Sequence, residues 1–201
     1  MQKPFGLTGN IGCGKSTVAA LLSKKPNIHI FDTDTMAKEA IIDIRFKKEI
    51  KEIFGNEVLT NNKVSLELLG KILFHDDKKR HKLEALIHPY IWNCIEEEMT
   101  NAPEATIYII ESALLYEVGW HKRCCAMIVV CCDDIEQKRR LREIRKMSDE
   151  AIKARLSTQY DSEYKEKRAT FLVRTNCDLN VLERRADNLY GNLVEMKCSL
   201  H

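Results

Sequence analysis

The fold is decided by residues 9–16, which read Gly9-Asn10-Ile11-Gly12-Cys13-Gly14-Lys15-Ser16. This stretch matches the pattern G-x-x-x-x-G-K-[S/T] in full. Glycines let backbone N–H groups converge on phosphate oxygens, because a Cβ atom would obstruct that approach. The alternative interpretation is a glycine-rich turn beside a surface lysine. The complete match favours a site for the phosphates of a nucleoside triphosphate.

The flanking sequence supplies the strand and the helix that such a loop requires. Residues 4–8 predict a short strand, and residues 17–25 predict a helix that ends before Pro26. Lys15 would reach the β- and γ-phosphates, and the Ser16 hydroxyl would hold Mg²⁺. We therefore expect Mg²⁺ as cofactor, with ATP as the phosphate donor. The loop residues expected to contact the nucleotide are Asn10, Ile11, Gly12, Cys13, Gly14, Lys15, Ser16 and Thr17.

Composition narrows the class of protein. The chain has 201 residues, of which 44% are hydrophobic and 31% charged, with a formal net charge of +2. A near-neutral total argues against a nucleic-acid coat protein. The longest apolar run, residues 124–132, is too short to span a bilayer, and residues 1–6 contain no apolar segment typical of a signal peptide. We expect a cytoplasmic protein with no nucleic-acid or membrane partner.

Eight cysteines are present, but their spacing fits neither a disulfide framework nor a zinc site. We expect them to be reduced and mostly buried as small apolar side chains. Cys13 is the exception, because a helix N-terminus should lower the pKa of its thiol and speed its alkylation.

Strands are predicted to alternate with helices along most of the chain. The run 106–110 is β-branched and apolar, and the run 126–132 is continuously apolar. Both are typical of strands buried on two faces in a parallel sheet. Further strands are predicted at 28–31 and 170–173. Helices are predicted at 35–54, 65–74, 79–100 (interrupted at His88-Pro89), 134–146, 149–159 and 179–197. This pattern predicts an α/β parallel-sheet P-loop NTPase core that carries a helical insertion.

Two aspartates, Asp32 and Asp34, follow the predicted strand 28–31. The carboxyl ends of strands are where α/β sheets bind ligands. A carboxylate there can accept the proton of an attacking hydroxyl during phosphoryl transfer. The alternative is that Asp34 or Thr35 caps the next helix, and both roles could hold, one for each aspartate.

Several segments of this sequence together resemble the dephospho-CoA kinase family. They cover most of residues 5–183 and follow one another in that family's order. The segments are GLTGNIGCGKSTVA (6–19), IFDTDTMAKE (30–39), FGNEVL (54–59), LEALIHPYI (83–91), ESALLYEVG (111–119) and EQKRRLREIRKMSDEAIKARLSTQ (136–159).

The resemblance implies transfer of the ATP γ-phosphate to the 3′-hydroxyl of the dephospho-CoA ribose, the last step of coenzyme A synthesis. It implies Asp34 as the general base and Lys15 and Arg140 as the other catalytic residues. ATP and dephospho-CoA are the expected partners of a monomer or weak homo-oligomer. The residues expected at the acceptor site are Thr8, Asp32, Asp34, His88, Leu114, Leu115 and Glu117.

The resemblance also divides the chain into three functional parts. The nucleotide-binding core comprises residues 1–34, 104–140 and 168–201, the acceptor domain residues 35–103, and a short helical lid residues 141–167. Arg140 and Arg145 are the expected contacts of the lid region with ATP. The alternative for this basic stretch is a solvated helix face.

Glu111 ends the strand at 106–110, where a carboxylate commonly orients the shell of Mg²⁺. A capping or surface role is the alternative for Glu111, and a hydrogen-bonded turn is the alternative for His88. The sequence departs from the family pattern at Ala113, Thr170 and Thr175 and lacks a Pro-Gly turn at 41–46. The C-terminal departures leave the adenine contacts unassigned.

Three other functions compete with this interpretation. A nucleoside or nucleoside monophosphate kinase would share the loop, but the block 35–103 offers only Arg45 and Arg80 for an acceptor phosphate. A nucleotide-dependent switch would require a motif such as Asn-Lys-x-Asp, which the sequence lacks. A catalytically inactive binding protein is disfavoured because Lys15, Ser16 and Asp34 are all present.

Overall fold

A computed structural model describes residues 2–101, 103 and 105–199 of the chain. The chain forms two compact units. The first unit comprises Met1–Phe31 with Pro103–His201, and the second comprises Asp32–Ala102. The predicted three-part division, including a separate lid at 141–167, stays a prediction.

The described residues alternate between strands and helices. The strands are β1 (Phe5–Thr8), β2 (Ile28–Asp32), β3 (Leu59–Thr60), β4 (Lys63–Val64), β5 (Ile107–Glu111), β6 (Met127–Cys131) and β7 (Phe171–Arg174). The helices are α1 (Lys15–Leu22), α2 (Thr33–Ile42), α3 (Lys47–Phe54), α4 (Leu66–His75), α5 (Asp77–Asn101), α6 (Asp134–Arg139), α7 (Asp149–Leu156), α8 (Ser162–Glu166) and α9 (Leu179–Ser199).

The first unit is built on a five-stranded parallel sheet in the order β2-β5-β1-β6-β7. β1 pairs in parallel with both β5 and β6, so that Gly6 lies opposite Ile110 on one side and Met127 on the other. β6 also pairs in parallel with β7. All residues of β1 and β6 are buried, as their apolar sequences predict. The predicted α/β P-loop fold is confirmed.

Helices α1 and α9 pack together and complete the core of the first unit. Leu22 of α1, Leu193 of α9 and Ile109 of β5 are each fully buried in one apolar cluster. The helical period of apolar residues in α1 and α9 places one side of each helix in this cluster. The sheet and these helices thereby fix the position of the loop that joins β1 to α1.

The second unit is helical, with a short hairpin. Helix α2 packs against α3, α4 and α5, and the buried side chains include Ile50, Phe54 and Ile95. Strands β3 and β4 form an antiparallel pair joined by Asn61 and Asn62, which both have positive φ. Asparagine tolerates this backbone conformation, and positive φ at both central positions suits a tight hairpin. This hairpin was not predicted from the sequence.

The predicted interruption at His88-Pro89 is wrong, because α5 runs continuously through Pro89. Proline removes the N–H that would bond to the carbonyl group of Ala85, four residues earlier. Ala85 and Pro89 are both exposed, so water can satisfy that carbonyl group. Packing of Ile87 and Ile91, which are buried on the opposite side of the helix, stabilises its continuation.

The segment predicted as one helix at 134–146 changes geometry at its middle. Helix α6 ends at Arg139, and Arg140–Ile144 form a wider π-helical turn. The N–H of Arg145 donates to the carbonyl oxygen of Arg140 at 3.1 Å, which is the five-residue spacing of such a turn. Helix α8 was not predicted. Within the described ranges, no helix has the length and apolarity needed to cross a membrane.

The cysteines whose side chains the structure describes are all free thiols, and each is buried or half-buried. Cys13, Cys131 and Cys132 are buried, as small apolar side chains are, and the other four are half-buried.

We predict that Ile109→Ala lowers the free energy of unfolding by about 2–5 kcal/mol, because Ile109 is fully buried in the sheet. The matched control is Ile135→Ala on α6, since Ile135 is 83% exposed and its truncation should change stability by less than about 0.5 kcal/mol. Urea denaturation followed by circular dichroism measures both. Equal losses in the two variants would contradict the assigned core.

Candidate active site

The loop at residues 9–14 turns sharply from β1 into α1. Gly14 precedes the helix with φ 86°, a left-handed conformation that favours glycine. Gly9 approaches β6 so closely that a Cβ atom there would lie 2.1 Å from the carbonyl oxygen of Val130. No side chain fits at that distance. Two glycines of the motif are therefore required by the backbone path of the loop itself.

Two glutamines hold the loop at Ile11. Gln137 of α6 donates from Nε2 to the carbonyl oxygen of Ile11 at 2.8 Å, and the Ile11 N–H donates to Oε1 of Gln159 at 3.0 Å. Next to them, Asn10 Nδ2 donates to the carbonyl oxygen of Tyr160 at 3.2 Å. Neither glutamine was predicted to have a role. Both lie in the family segment 136–159, but glutamine carries no distinctive chemical pattern there.

Arg140 lies beside the loop and is fixed by three hydrogen bonds. Its guanidinium group donates to Glu136 Oε1 at 2.7 Å, to Thr175 Oγ1 at 2.8 Å and to the Thr175 carbonyl oxygen at 2.7 Å. Thr175 Oγ1 in turn donates to the carbonyl oxygen of Cys13 at 2.8 Å. Thr175, one of the departures from the family pattern, thus connects Arg140 to the phosphate loop.

Glu136 neutralises part of the charge on this basic segment. Hydrogen bonds from Arg139 and Arg140 lower the pKa of Glu136 to about 2. The carboxylate is therefore ionised at neutral pH and orients the Arg140 side chain. Arg145 is exposed at the end of the π-helical turn, so of the two predicted arginines only Arg140 is fixed beside the loop.

The two predicted metal ligands lie together at the first turn of α1. Ser16 Oγ donates to Glu111 Oε1 at 3.1 Å, and Ser16 is exposed while Glu111 is half-buried at the end of β5. A hydroxyl and a carboxylate are the hard oxygen donors that Mg²⁺ prefers. The position fits a Mg²⁺ ion that is held by these two residues together with phosphate oxygens.

Glu117, which was predicted at the acceptor site, forms an ion pair with a buried lysine. Lys165 is fully buried, and its Nζ lies 2.8 Å from Glu117 Oε1 and 2.8 Å from the carbonyl oxygen of Ala113. Burial lowers the pKa of Lys165, and the adjacent Glu117 opposes that shift. The same Glu117 oxygen accepts the N–H of Tyr160 at 2.7 Å. The pair anchors the chain next to Gln159.

The other residues of the first unit that were predicted at the acceptor site differ in exposure. Thr8 and Leu115 are fully buried, and Thr8 Oγ1 donates to the carbonyl oxygen of Ala113 at 3.4 Å. Leu114 is half-buried. In this structure, Leu114 is thus the more accessible of the two leucines.

In the second unit, Asp32 rather than Asp34 caps helix α2. Asp32 Oδ1 accepts the N–H groups of Asp34 at 3.1 Å and Thr35 at 3.2 Å, and Oδ2 accepts the Thr35 hydroxyl at 2.7 Å. The interpretation of Asp34 or Thr35 as the cap is wrong. Asp34 lies exposed in the first turn of the helix, which leaves its carboxylate available for other chemistry.

His88 and two arginines complete the predicted residues of the second unit. Burial lowers the pKa of the half-buried His88, and Glu84 opposes that shift. Arg45 pairs with Asp43 and donates to the hydroxyl of Tyr90, while Arg80 pairs with Asp77. The arginines that an acceptor phosphate would require are therefore already engaged with carboxylates.

A family model described as dephospho-CoA kinase matches residues 4–180 of the chain. A dephospho-CoA kinase of Bdellovibrio bacteriovorus is 34% identical over 205 residues, covering 98% of this chain and 98% of the relative. A second, from Thermus thermophilus, is 34% identical over 180 residues, covering 90% of this chain and 86% of the relative.

Solved structures show the same similarity. A Thermus thermophilus protein superposes with a TM-score of 0.82 at 32% identity, covering 96% of this chain and 99% of that protein. A dephospho-CoA kinase from Campylobacter jejuni superposes with a TM-score of 0.64 at 25% identity, covering 95% and 97%. A shikimate kinase from Bacteroides thetaiotaomicron, at 15% identity and a TM-score of 0.52, shares the fold.

We predict that Arg140→Lys weakens binding of Mg·ATP about tenfold, because lysine cannot reproduce the planar fork that Glu136 and Thr175 orient. The matched control is Arg139→Lys, since Arg139 is bonded to Glu136 and Glu143 rather than to the loop side of the site. Calorimetric titration measures both affinities. Equal effects in the two variants would show that the loss is not specific to the guanidinium group of Arg140.

Proposed function

The chain belongs to the dephospho-CoA kinase family, and on that premise we propose that it transfers the γ-phosphate of ATP to the 3′-hydroxyl of the dephospho-CoA ribose. The observation that carries this proposal is the complete phosphate loop, with Lys15 following it and Ser16 beside Glu111. A cytoplasmic location, and action as a monomer or weak homo-oligomer, belong to the same proposal.

The phosphate loop and its neighbours bind and orient the donor. Backbone N–H groups of the loop and the N-terminal end of α1 attract the phosphates. Lys15 and Arg140 supply positive charge where negative charge develops on the transferring group. Ser16 and Glu111 would hold Mg²⁺, which would supply positive charge to offset that of the β- and γ-phosphates.

Asp34 is the proposed general base. Its carboxylate accepts the proton of the 3′-hydroxyl as the oxygen attacks the γ-phosphorus. Two findings support this role: Asp34 is exposed, and the capping of α2 that would otherwise occupy it is done by Asp32. Asp32 then contributes by fixing the start of the helix that carries Asp34. His88 and Leu114 are proposed as acceptor contacts.

The proposed activity is tested by measuring ADP release from Mg·ATP with dephospho-CoA, beside a panel of nucleosides and nucleoside monophosphates. We expect rapid turnover with dephospho-CoA alone, and a product whose new phosphate is shown by NMR to lie on the 3′-oxygen. Turnover with only a nucleoside or a nucleotide would be consistent with the donor site but would refute dephospho-CoA as the acceptor. No turnover with any acceptor, while ATP still binds, would contradict the kinase activity.

We predict that Asp34→Asn lowers kcat by about 10²–10⁴, since an amide cannot accept the proton, and leaves the affinity for Mg·ATP nearly unchanged. The matched control is Glu39→Gln, which removes another exposed carboxylate from the same helix and should retain the activity. Steady-state kinetics and calorimetry separate the two parameters. Full activity of Asp34→Asn would remove this residue from the mechanism.

A further inference from the structure

Two thiols that phosphoryl transfer does not use lie in contact beneath the phosphate loop. The Sγ atoms of Cys13 and Cys132 are 3.3 Å apart, although the residues are 119 positions apart in the sequence. Cys13 belongs to the loop, and Cys132 directly follows strand β6. Cys13 is 1% and Cys132 8% exposed, yet Ser16 and Thr17 just beyond the loop are exposed. Both residues are thus buried, and Cys132 is the more exposed of the two.

The two thiols have opposite roles in their hydrogen bonding. Cys13 Sγ accepts a hydrogen bond from the Cys132 thiol and another, at 3.5 Å, from Gln137 Nε2. The bond from Cys132 is the largest cause that lowers the pKa of Cys13 to about 7, and the charges of Lys15 and Arg140 act in the same direction. Donation to Cys13, together with burial, raises the pKa of Cys132.

Near neutral pH a substantial share of the molecules therefore combines a Cys13 thiolate with a protonated Cys132 thiol. A thiolate is the nucleophilic form of cysteine, and a neighbouring thiol can resolve its oxidation product into a disulfide. The position of Cys13 before a helix N-terminus predicts a low pKa for its thiol. In the structure the hydrogen bond from Cys132 also lowers that pKa.

We propose that Cys13 and Cys132 form an oxidisable site at which a hydroperoxide closes a reversible disulfide that disables nucleotide binding. The Cys13 thiolate attacks one peroxide oxygen, the O–O bond breaks, and a sulfenic acid and hydroxide result. The sulfur of Cys132 then attacks the sulfur of Cys13, the S–S bond forms, and the S–O bond breaks to release water. The two thiols lose two electrons and two protons, and hydrogen peroxide becomes two waters.

Closure of the disulfide requires the phosphate loop to change shape. A disulfide has an S–S distance of about 2.0 Å, so the two sulfurs must move more than an ångström closer. The Cys13 backbone is held by Thr175 Oγ1 on its carbonyl group, and its N–H donates to Asn10 at 3.2 Å. Gly12 and Gly14 flank Cys13 and can absorb the rotation, which moves the N–H groups that bind phosphate.

This inference rests on the proposed function in one premise only, namely that the loop binds the phosphates of a nucleotide. Neither of its two readouts, a disulfide map and the affinity for Mg·ATP, depends on the acceptor. A protein that fails to phosphorylate dephospho-CoA would thus leave the thiol result intact. If the reduced protein fails to bind Mg·ATP, both the donor site and the proposed loss of nucleotide binding on oxidation are contradicted. The disulfide map would still decide whether Cys13 and Cys132 form a disulfide.

The test treats the full chain with hydrogen peroxide, blocks the remaining thiols with an alkylating agent, and maps non-reduced peptides by mass spectrometry. We expect a linked Cys13–Cys132 peptide that is lighter by two hydrogens than the sum of its parts. We also expect the affinity for Mg·ATP to fall at least about tenfold and to return with dithiothreitol. Absence of the linked peptide, or a linked protein with unchanged affinity, would overturn the proposal.

The decisive variant is Cys132→Ser, which keeps a hydrogen-bond donor to Cys13 but cannot form the disulfide. After peroxide treatment it should retain its affinity for Mg·ATP. Cys132→Ala serves as a second variant should serine destabilise this buried position. Cys131→Ala is the matched control, because burial raises the pKa of Cys131 to about 11 and it should behave like the parent chain. A loss of affinity in Cys132→Ser as large as in the parent would refute the pairing.

Discussion

The close approach of the phosphate loop to strand β6 is the constraint on which the rest of the site depends. At Gly9 the loop backbone lies against Val130, with no space for a side chain. From there the loop reaches α1 through a left-handed residue at Gly14. A loop held this tightly keeps its N–H groups oriented without a ligand, so less free energy of binding is spent on ordering it.

The packing of the phosphate loop against β6 also brings it into contact with residues that are distant in the sequence. Gln137 and Gln159 hold Ile11, and Thr175 holds the carbonyl group of Cys13. These residues belong to the C-terminal half of the first unit. The phosphate loop is therefore supported by elements that lie far from it in the sequence. The same packing brings the Cys13 thiol into contact with the thiol of Cys132.

The charged side chains Arg140 and Lys165 are likewise each held by a partner from elsewhere in the first unit. Glu136 and Thr175 hold Arg140, whereas Glu117 compensates the buried Lys165. A buried lysine without such a partner would be strongly destabilising. The ion pair anchors the segment that carries Gln159, and it therefore supports the loop indirectly.

Sequence reasoning succeeded where the signal was local and failed where packing decided. The loop motif and the apolar strands β5 and β6 were predicted because glycine spacing and buried runs are properties of contiguous residues. The proline at position 89 was expected to interrupt the helix. The helix stays continuous because the exposed carbonyl group of Ala85 can bond to water and because Ile87 and Ile91 pack on the opposite side. A cap by Asp34 or Thr35 was only the alternative to a catalytic role, and Asp32 supplies the cap of α2 instead.

The sequence by itself determined the α/β class, the phosphate loop with its lysine and serine, and the resemblance that indicated the family. Only the tertiary structure decided which polar side chains meet. Thr175 and Arg140 are 35 positions apart, and Cys13 and Cys132 are 119 apart. The physical reason is that a parallel sheet brings together residues from strands distant in sequence, and no local pattern of residue types records which of them will be neighbours.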